Sequence, residues 1–480
     1  MTLLLDTPVE APIVSRRSIP IWLAIIAASL PMFMSTLDNL VMTNALPTIR
    51  TDLNASVEEL QWFVNAYTLS FASFILMASA LGDRFGRRTV FVAGIAVFTA
   101  ASVFSALSTE SWMLIVGRAI QGLGAAAIMP LSLTLLVGSV SLKFRPLAIG
   151  VWGGISGLGV ALGPLIGGAV VEGWSWEAIF WINVPVGIVA IPLALIALPN
   201  TFGARVRADL LGLALAAFGV LGLVFGIVRG NDSGWNSLEV MGSLGLGAAL
   251  IAAFIVWEGS TPTPLLPLRL FRDRGFSVAN VVGLVYSFGI FGSIFILIQF
   301  MQVVQGYSPL GAGIGTMPWT LAPMVIAPLA GLIAPRVGTR ALIVTGMVLQ
   351  TIAIFWLGAT MSATTEYLEM LTPFILAGIG MGLVFAPLST AVLATMRSDD
   401  HAKASGTNST LREIGVALGI AVLTAVFVGA HGELTPTGYV DAAIPAILVG
   451  AGALALAAVL SLLLPSGRAS RALVSAASSI

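Results

Sequence analysis

Fourteen long apolar stretches run through this chain, and its basic residues gather on alternate links between them. A run of about 18 or more residues with few charges can cross a bilayer as a helix. Only helices and closed barrels satisfy their own backbone hydrogen bonds in lipid. The runs fall near 19–45, 57–80, 89–109, 111–137, 145–170, 177–198, 209–229, 240–259, 275–301, 309–334, 340–361, 367–395, 404–430 and 442–465. The predicted fold class is therefore an all-α polytopic membrane protein with 14 transmembrane helices. Composition agrees: 58% of the residues are hydrophobic, 9% are charged, and the mean hydropathy is +1.00. A soluble protein carries about 25% charged residues, so lipid is the solvent for most of this chain.

Several function classes drop out at once. The 22 basic and 22 acidic residues leave no nucleic-acid footprint. There is no cysteine, hence no disulfide framework, thiolate metal site or cysteine nucleophile. His401 and His431 lie far apart and offer no metal-ligand spacing. No polar segment exceeds about 15 residues, too short for a soluble domain with its own core. No nucleophile–base or metal constellation suggests an enzyme, and no phosphate-binding glycine loop suggests an ATP site.

Ser15, Arg16 and Arg17 superficially resemble a twin-arginine export signal. The apolar run that follows is too long for one, so the two arginines read as an anchor of the first helix. With a cytoplasmic N-terminus, 18 of the 22 basic residues fall on cytoplasmic links or tails. Only Arg50 and Arg229 fall outside, and Arg118 and Arg412 lie within spans. This asymmetry is the positive-inside rule. The expected location is the cytoplasmic (inner) membrane, multi-pass, with both termini in the cytoplasm.

The link SALGDRFGRRT (79–89) aligns with GLIAPRVGTRA (331–341): Arg84 meets Arg336, Gly86 meets Gly338, and Arg88 meets Arg340. Recurrence after the second helix of each half suggests a duplication, a common plan of transporters with the substrate path at the repeat interface. The expected organisation is a cytoplasmic tail (1–18), an N-terminal six-helix half (19–200), two inserted helices (205–260), a C-terminal six-helix half (264–465) and a second tail (466–480).

SALGDRFGRRT resembles the loop 2–3 signature of the major facilitator superfamily, with Ser79 in place of its first glycine. GRAIQGLGAA (117–126) and GVALGPLIGG (159–168) resemble that superfamily's Arg-containing and antiporter motifs. LDNLVMTNALP (37–47), QWFVNAYTL (61–69), WSWEAIFWINVPVG (174–187), PLLPLRLFRDRGF (264–276), QGYSPLGAG (305–313) and NSTLREIGVALG (408–419) are similar to its fourteen-helix drug:proton antiporter branch. The resemblance implies the major facilitator fold, two six-helix halves plus two inserted central helices. It also implies a proton-coupled exporter of amphipathic or cationic small molecules, such as drugs and antibiotics. It needs no cofactor beyond the proton gradient, and its partners are substrate, protons and the lipid bilayer. It is expected to function as a monomer. The alternative on the same fold is a proton-coupled transporter of a specific metabolite or nutrient.

Asp38 lies well inside the first span. A charge at mid-bilayer costs about 2.5–3.5 kcal/mol on insertion scales. It serves either as a structural hydrogen-bonder with Asn39 and Asn44 or as a proton carrier, and the resemblance points to the carrier. Arg118 in the fourth span is either bonded to backbone carbonyls or paired with Asp38. Glu413 sits about 200° from Gly415 on its helix, away from a small-residue ridge and free to face a cavity. The resemblance makes it a second acid for a proton or a cationic drug; the bland reading is a snorkelling pair with Arg412. The tenth span has no acid, which weakens the case for a dication.

Asp83, Arg84, Gly86, Arg87 and Arg88 form the charged link. The arginines anchor; the resemblance implies that Asp83 docks on the start of the thirteenth span, near Ala404, and shuts a cytoplasmic gate. In the second repeat Pro335 replaces this acid. Gly159, Gly163 and Gly167 make a groove on one helix face, beside Pro164 and Gly168. It serves either general packing or, by resemblance, the sealing contact of an antiporter. Trp62, Tyr67, Phe71, Trp152, Tyr286, Phe291 and Trp319 are candidates for a cavity that holds cations through their rings, with Gln61 and Met317 beside them, or ordinary membrane packing; Gln61 and Trp62 serve equally as a helix-entry anchor.

Overall fold

The computed structural model describes residues 20–141, 144–202, 209–394, 396, 401–436 and 438–465. The predicted tails, and the basic residues Lys143, Arg205, Arg207 and Arg397, lie outside them. The described residues are helical throughout: α1 (Ile21–Leu53), α2 (Val57–Phe85), α3 (Arg87–Ala106), α4 (Ser111–Ser139), α5 (Arg145–Gly173), α6 (Ala178–Trp181), α7 (Asn183–Ala197), α8 (Leu210–Ser233), α9 (Leu238–Ser260), α10 (Arg274–Gln299), α11 (Pro309–Val337), α12 (Thr339–Thr360), α13 (Tyr367–Leu393), α14 (His401–Gly429) and α15 (Val440–Ser461). Twelve helices are long and apolar enough to span a membrane, counting α6–α7 as one, and α2, bent by 49°, makes thirteen. The Leu162–Gly173 part of α5 is a shorter apolar helix, so the arrangement is consistent with the fourteen predicted spans.

Chemistry at the links sets the ends. Ser56 and Glu59 form a capping box at the start of α2. Ser237, Asp273 and Ser308 cap α9, α10 and α11 with their side chains. α1 runs on past its predicted end at residue 45, through Arg50, to Leu53. Polarity ends a membrane span, but only Asn54, in the left-handed region at φ 49°, stops the helix.

The two halves repeat one set of pairings. α1 packs on α5 and α7, α2 on α4, and α3 on α4 and α7. In the second half α10 packs on α14 and α15, α11 on α13, and α12 on α13 and α15. The aligned links share a backbone too: Gly86 has φ 102° and Gly338 has φ 96°. Each donates its N–H to a helix carbonyl four residues back, Gly82 and Ala334 respectively. That conformation requires glycine.

The halves touch along two seams, α5 on α11 and α2 on α14. The inserted α8 lies over the second seam, against both α2 and α14, with α9 outside it. Among the described residues, the hydrogen bonds that join the halves all lie at the Arg50 end of the bundle. Asn44 donates to the Pro309 carbonyl at 3.3 Å and its own carbonyl accepts from Gln302 at 3.0 Å. Arg50 donates to the Leu434 carbonyl at 3.4 Å, and the Leu310 N–H to Glu172 at 3.3 Å. The inserted pair is tied there as well, with Arg229 bridging Glu58 and Glu239 at 3.1 Å each. The Gly86 end carries no such ties among the described residues.

Candidate functional site

A polar cluster is sealed inside the N-terminal half. Asp38 on α1 is 4% exposed and Arg118 on α4 is 0% exposed. The two form an ion pair through Asp38 Oδ2 and Arg118 Nη1. Asp38 Oδ1 also accepts from Asn183 Nδ2 at 2.7 Å and from Gln121 Nε2 at 3.2 Å. Arg118 donates further to the Phe63 carbonyl at 3.0 Å and to Gln121 Oε1 at 2.9 Å. Ser102 Oγ closes the ring, accepting from Gln121 at 2.8 Å and from Asn183 at 3.3 Å.

Helix geometry brings these groups together. Arg118 and Gln121 are three residues apart and share a face. Small residues then let α4 press inward. A Cβ at Gly124 would lie 2.7 Å from the Phe98 nitrogen, and one at Gly122 2.9 Å from Ser70 Cβ. A guanidinium this deep is tolerable only with its charge matched; removing one member of a buried pair costs about 3–5 kcal/mol. Arg118 also lies 4.4 Å from the Tyr67 ring centroid, a cation–π contact. The Tyr67 hydroxyl meets Ser35 Oγ at 2.9 Å.

The structure thus pairs Asp38 with Arg118 and adds Asn183 and Gln121, where the structural alternative names Asn39 and Asn44. Asn44 sits at the seam instead, donating to the Pro164 carbonyl at 2.6 Å. Asn183, Gln121 and Ser102 were not singled out by sequence reasoning, although the first two lie in quoted motifs. Uncharged amides barely register in hydropathy; a census of every amide in the apolar spans would have found them.

Glu413 on α14 is partly buried and makes no hydrogen bond among the described residues. Arg412, next to it, points elsewhere, onto the Phe385 ring at 4.5 Å.

The charged link at the Gly86 end is arranged differently from expectation. Asp83 accepts from Arg87 Nε at 2.7 Å within its own link, rather than docking on the start of α14. The halves are joined at the opposite end, so the acid turns to the nearest cation. Arg88 caps the end of α7, donating to the Leu195 and Leu198 carbonyls at 2.9 and 3.1 Å. Arg84 lies over Phe85. Gly86 faces Asn200, whose Oδ1 would be 2.5 Å from a Cβ placed there.

On α5 the glycine groove is filled by α1: added Cβ atoms at Gly163 and Gly167 would meet Leu40 at 2.6 Å and Val41 at 2.9 Å, and Gly159 faces Thr36. Gly168 lies against the backbone of α11, 2.6 Å from Leu310 Cα by the same measure. Of the aromatic candidates, Tyr67 joins the Asp38 cluster and stacks on Phe71. Tyr286 meets Phe385 edge-on at 6.4 Å, and Trp319 stacks on Phe374 at 5.8 Å. Trp152 donates to Ser132 Oγ at 3.1 Å. Trp62 packs against Phe225 of the inserted α8 instead. Gln61 is buried with its Oε1 unpartnered. Among the described residues no cluster of metal-ligating side chains occurs.

Comparison with known proteins places the architecture. The sequence profile of the Major Facilitator Superfamily matches residues 28–420 and 281–479. The chain is 32% identical over 428 residues to the tetracenomycin C resistance and export protein of Streptomyces glaucescens, covering 89% of this chain and 79% of that one. It is 33% identical over 409 residues to the multidrug resistance protein Stp of Mycobacterium tuberculosis, covering 84% and 75%. An auto-inhibited POT-family peptide transporter superimposes with a TM-score of 0.63 at 18% identity, over 91% of this chain and 96% of that one.

Proposed function

Because this chain belongs to the Major Facilitator Superfamily, we propose that it exports amphipathic small molecules, drugs or antibiotics, across the cytoplasmic membrane in exchange for protons. Relatives named for antibiotic resistance, multidrug resistance and export support the cargo class and direction. The charge count of the links puts the Gly86 end in the cytoplasm and the Arg50 end outside. The arrangement described above is then closed to the outside.

One observation carries the coupling: a carboxylate and a guanidinium paired out of reach of water, Asp38 with Arg118. The pair is stable only while Asp38 is ionised. A proton on Asp38 removes the charge that holds Arg118 and weakens the bonds from Asn183 and Gln121. Arg118 then turns toward Tyr67, whose ring it already overlies, on the α2 that packs against α14 of the other half. In this way proton load on one half alters its fit to the other. A ligand shifts such an equilibrium only by its differential affinity for the two states. Rocking about the α5–α11 and α2–α14 seams would expose the space between the halves to each side in turn. A single chain contains every part of this scheme, so the functional unit is a monomer.

Everted membrane vesicles test the reading. A panel of amphipathic antibiotics should accumulate when the vesicles are energised, and an uncoupler should abolish that accumulation. Accumulation indifferent to the uncoupler would refute proton coupling.

A further inference from the structure

The C-terminal half holds a second cation within a span, partly buried and in a different environment. Arg412 lies in the middle of α14, and no carboxylate is within ion-pair distance of it among the described residues. Its neighbour Glu413 is about 100° away around the helix and does not share its face. Arg412 donates no hydrogen bond to any described residue, and its Nε is buried and unpartnered. Its guanidinium carbon lies 4.5 Å from the Phe385 ring centroid.

Two more polar groups converge there. Tyr286, 1% exposed, meets Phe385 edge-on and stands three residues along α10 from Gly283, which faces the Arg412 stem. Gln350, 0% exposed, sits beside the Tyr286 hydroxyl. Yet the Tyr286 hydroxyl and both Gln350 amide atoms are buried without a partner of acceptable geometry. A permanent cation and a hydroxyl thus meet one ring, with an amide beside the hydroxyl and donor capacity unspent. Buried polar groups are almost always satisfied, so such a concentration asks for an acceptor. The N-terminal half supplies its own acceptor, Asp38; this half does not.

We propose that Arg412, Tyr286 and Gln350 form an oxyanion subsite for the cargo, which receives a carboxylate or phenolate oxygen while the cargo's apolar body lies on Phe385. The transported class is then acidic amphipathic compounds rather than lipophilic cations. This rests on the exporter reading for the meaning of binding, but not for its test, which needs no proton gradient.

Purified full-length protein in detergent is titrated with three fluorescent probes of one shape: anthracene-9-carboxylate, its neutral primary amide and 9-anthrylmethylammonium. Hydrogen bonds to charged groups are each worth about 1.5–3 kcal/mol, so the carboxylate should bind about 10-fold or more tightly than the ammonium. Arg412→Gln should weaken the carboxylate about 10-fold or more and leave the amide within about twofold. Retained amide binding shows that the variant is folded. Tyr286→Phe deletes only an unpartnered hydroxyl, so it should fold, and it should weaken the carboxylate by about threefold or more. Tighter binding of the ammonium, no carboxylate binding up to millimolar concentration, or undiminished carboxylate affinity in either variant would overturn the subsite. Loss of proton-coupled transport with Arg412-dependent binding intact would refute only the exporter reading.

Discussion

Asn183 reaches across the N-terminal half to Asp38, its amide nitrogen 2.7 Å from Oδ1. It stands at the start of α7, so the last helix of this half is fastened to the first through the carboxylate. Asn183→Ala removes that donor and leaves a buried carboxylate oxygen short of it, which costs about 1–3 kcal/mol. Thermal unfolding in detergent should therefore show a lower melting temperature for Asn183→Ala; an unchanged one would contradict the assignment.

The Arg50 end is where the halves are fastened, and a cross-link there should stop the cycle. The native chain has no cysteine, which leaves the background clean. Glu172 of α5 accepts from the Leu310 nitrogen of α11 at 3.3 Å. The double variant Glu172→Cys, Leu310→Cys should be joined by a short bis-methanethiosulfonate linker and lose nearly all transport. Reductant should restore it. Full transport by the cross-linked protein would show that this seam does not open.

Gly86 and Gly338 have the same positive-φ backbone but different surroundings. An L side chain in that region costs about 1–3 kcal/mol, so Gly86→Ala and Gly338→Ala should both destabilise. Gly86→Ala should cost more. A Cβ there would displace Asn200, which accepts from the Arg88 N–H at 3.2 Å and donates to Thr89 at 3.1 Å. Nothing lies within 4 Å of a Cβ on Gly338. Thermal unfolding in detergent should rank the melting points accordingly; equal losses would mean that the Asn200 contact contributes nothing.

Charges in apolar runs are conspicuous because burying them is costly, and so Asp38, Arg118 and Glu413 were legible in the sequence. So was the repeat, since an Arg-x-Gly-x-Arg link needs glycine for its turn in both halves. What the sequence hid was direction. Trp62 and Tyr67 lie on one helix in a single motif, but Trp62 turns to the inserted α8 and Tyr67 to Arg118. Which neighbour a helix face meets is set by long-range packing that periodicity does not encode. Asp83 is a related case. The resemblance implies a gate for this residue, but the partner it meets, Arg87, depends on the end at which the halves are joined. Asn183 and Gln121 were hidden for a third reason: an amide among apolar residues looks like a small interruption until its hydrogen bonds are seen.

The central claim is that protonation of Asp38 drives cargo movement. It is tested most directly in sealed liposomes that hold wild type or Asp38→Asn, loaded with a transported compound and given an imposed pH gradient. Wild-type flux should rise with the gradient. The Asp38→Asn protein, with a permanently uncharged side chain facing Arg118, should show no gradient-driven flux while still binding the compound. Gradient-driven flux that survives intact in Asp38→Asn would contradict the account.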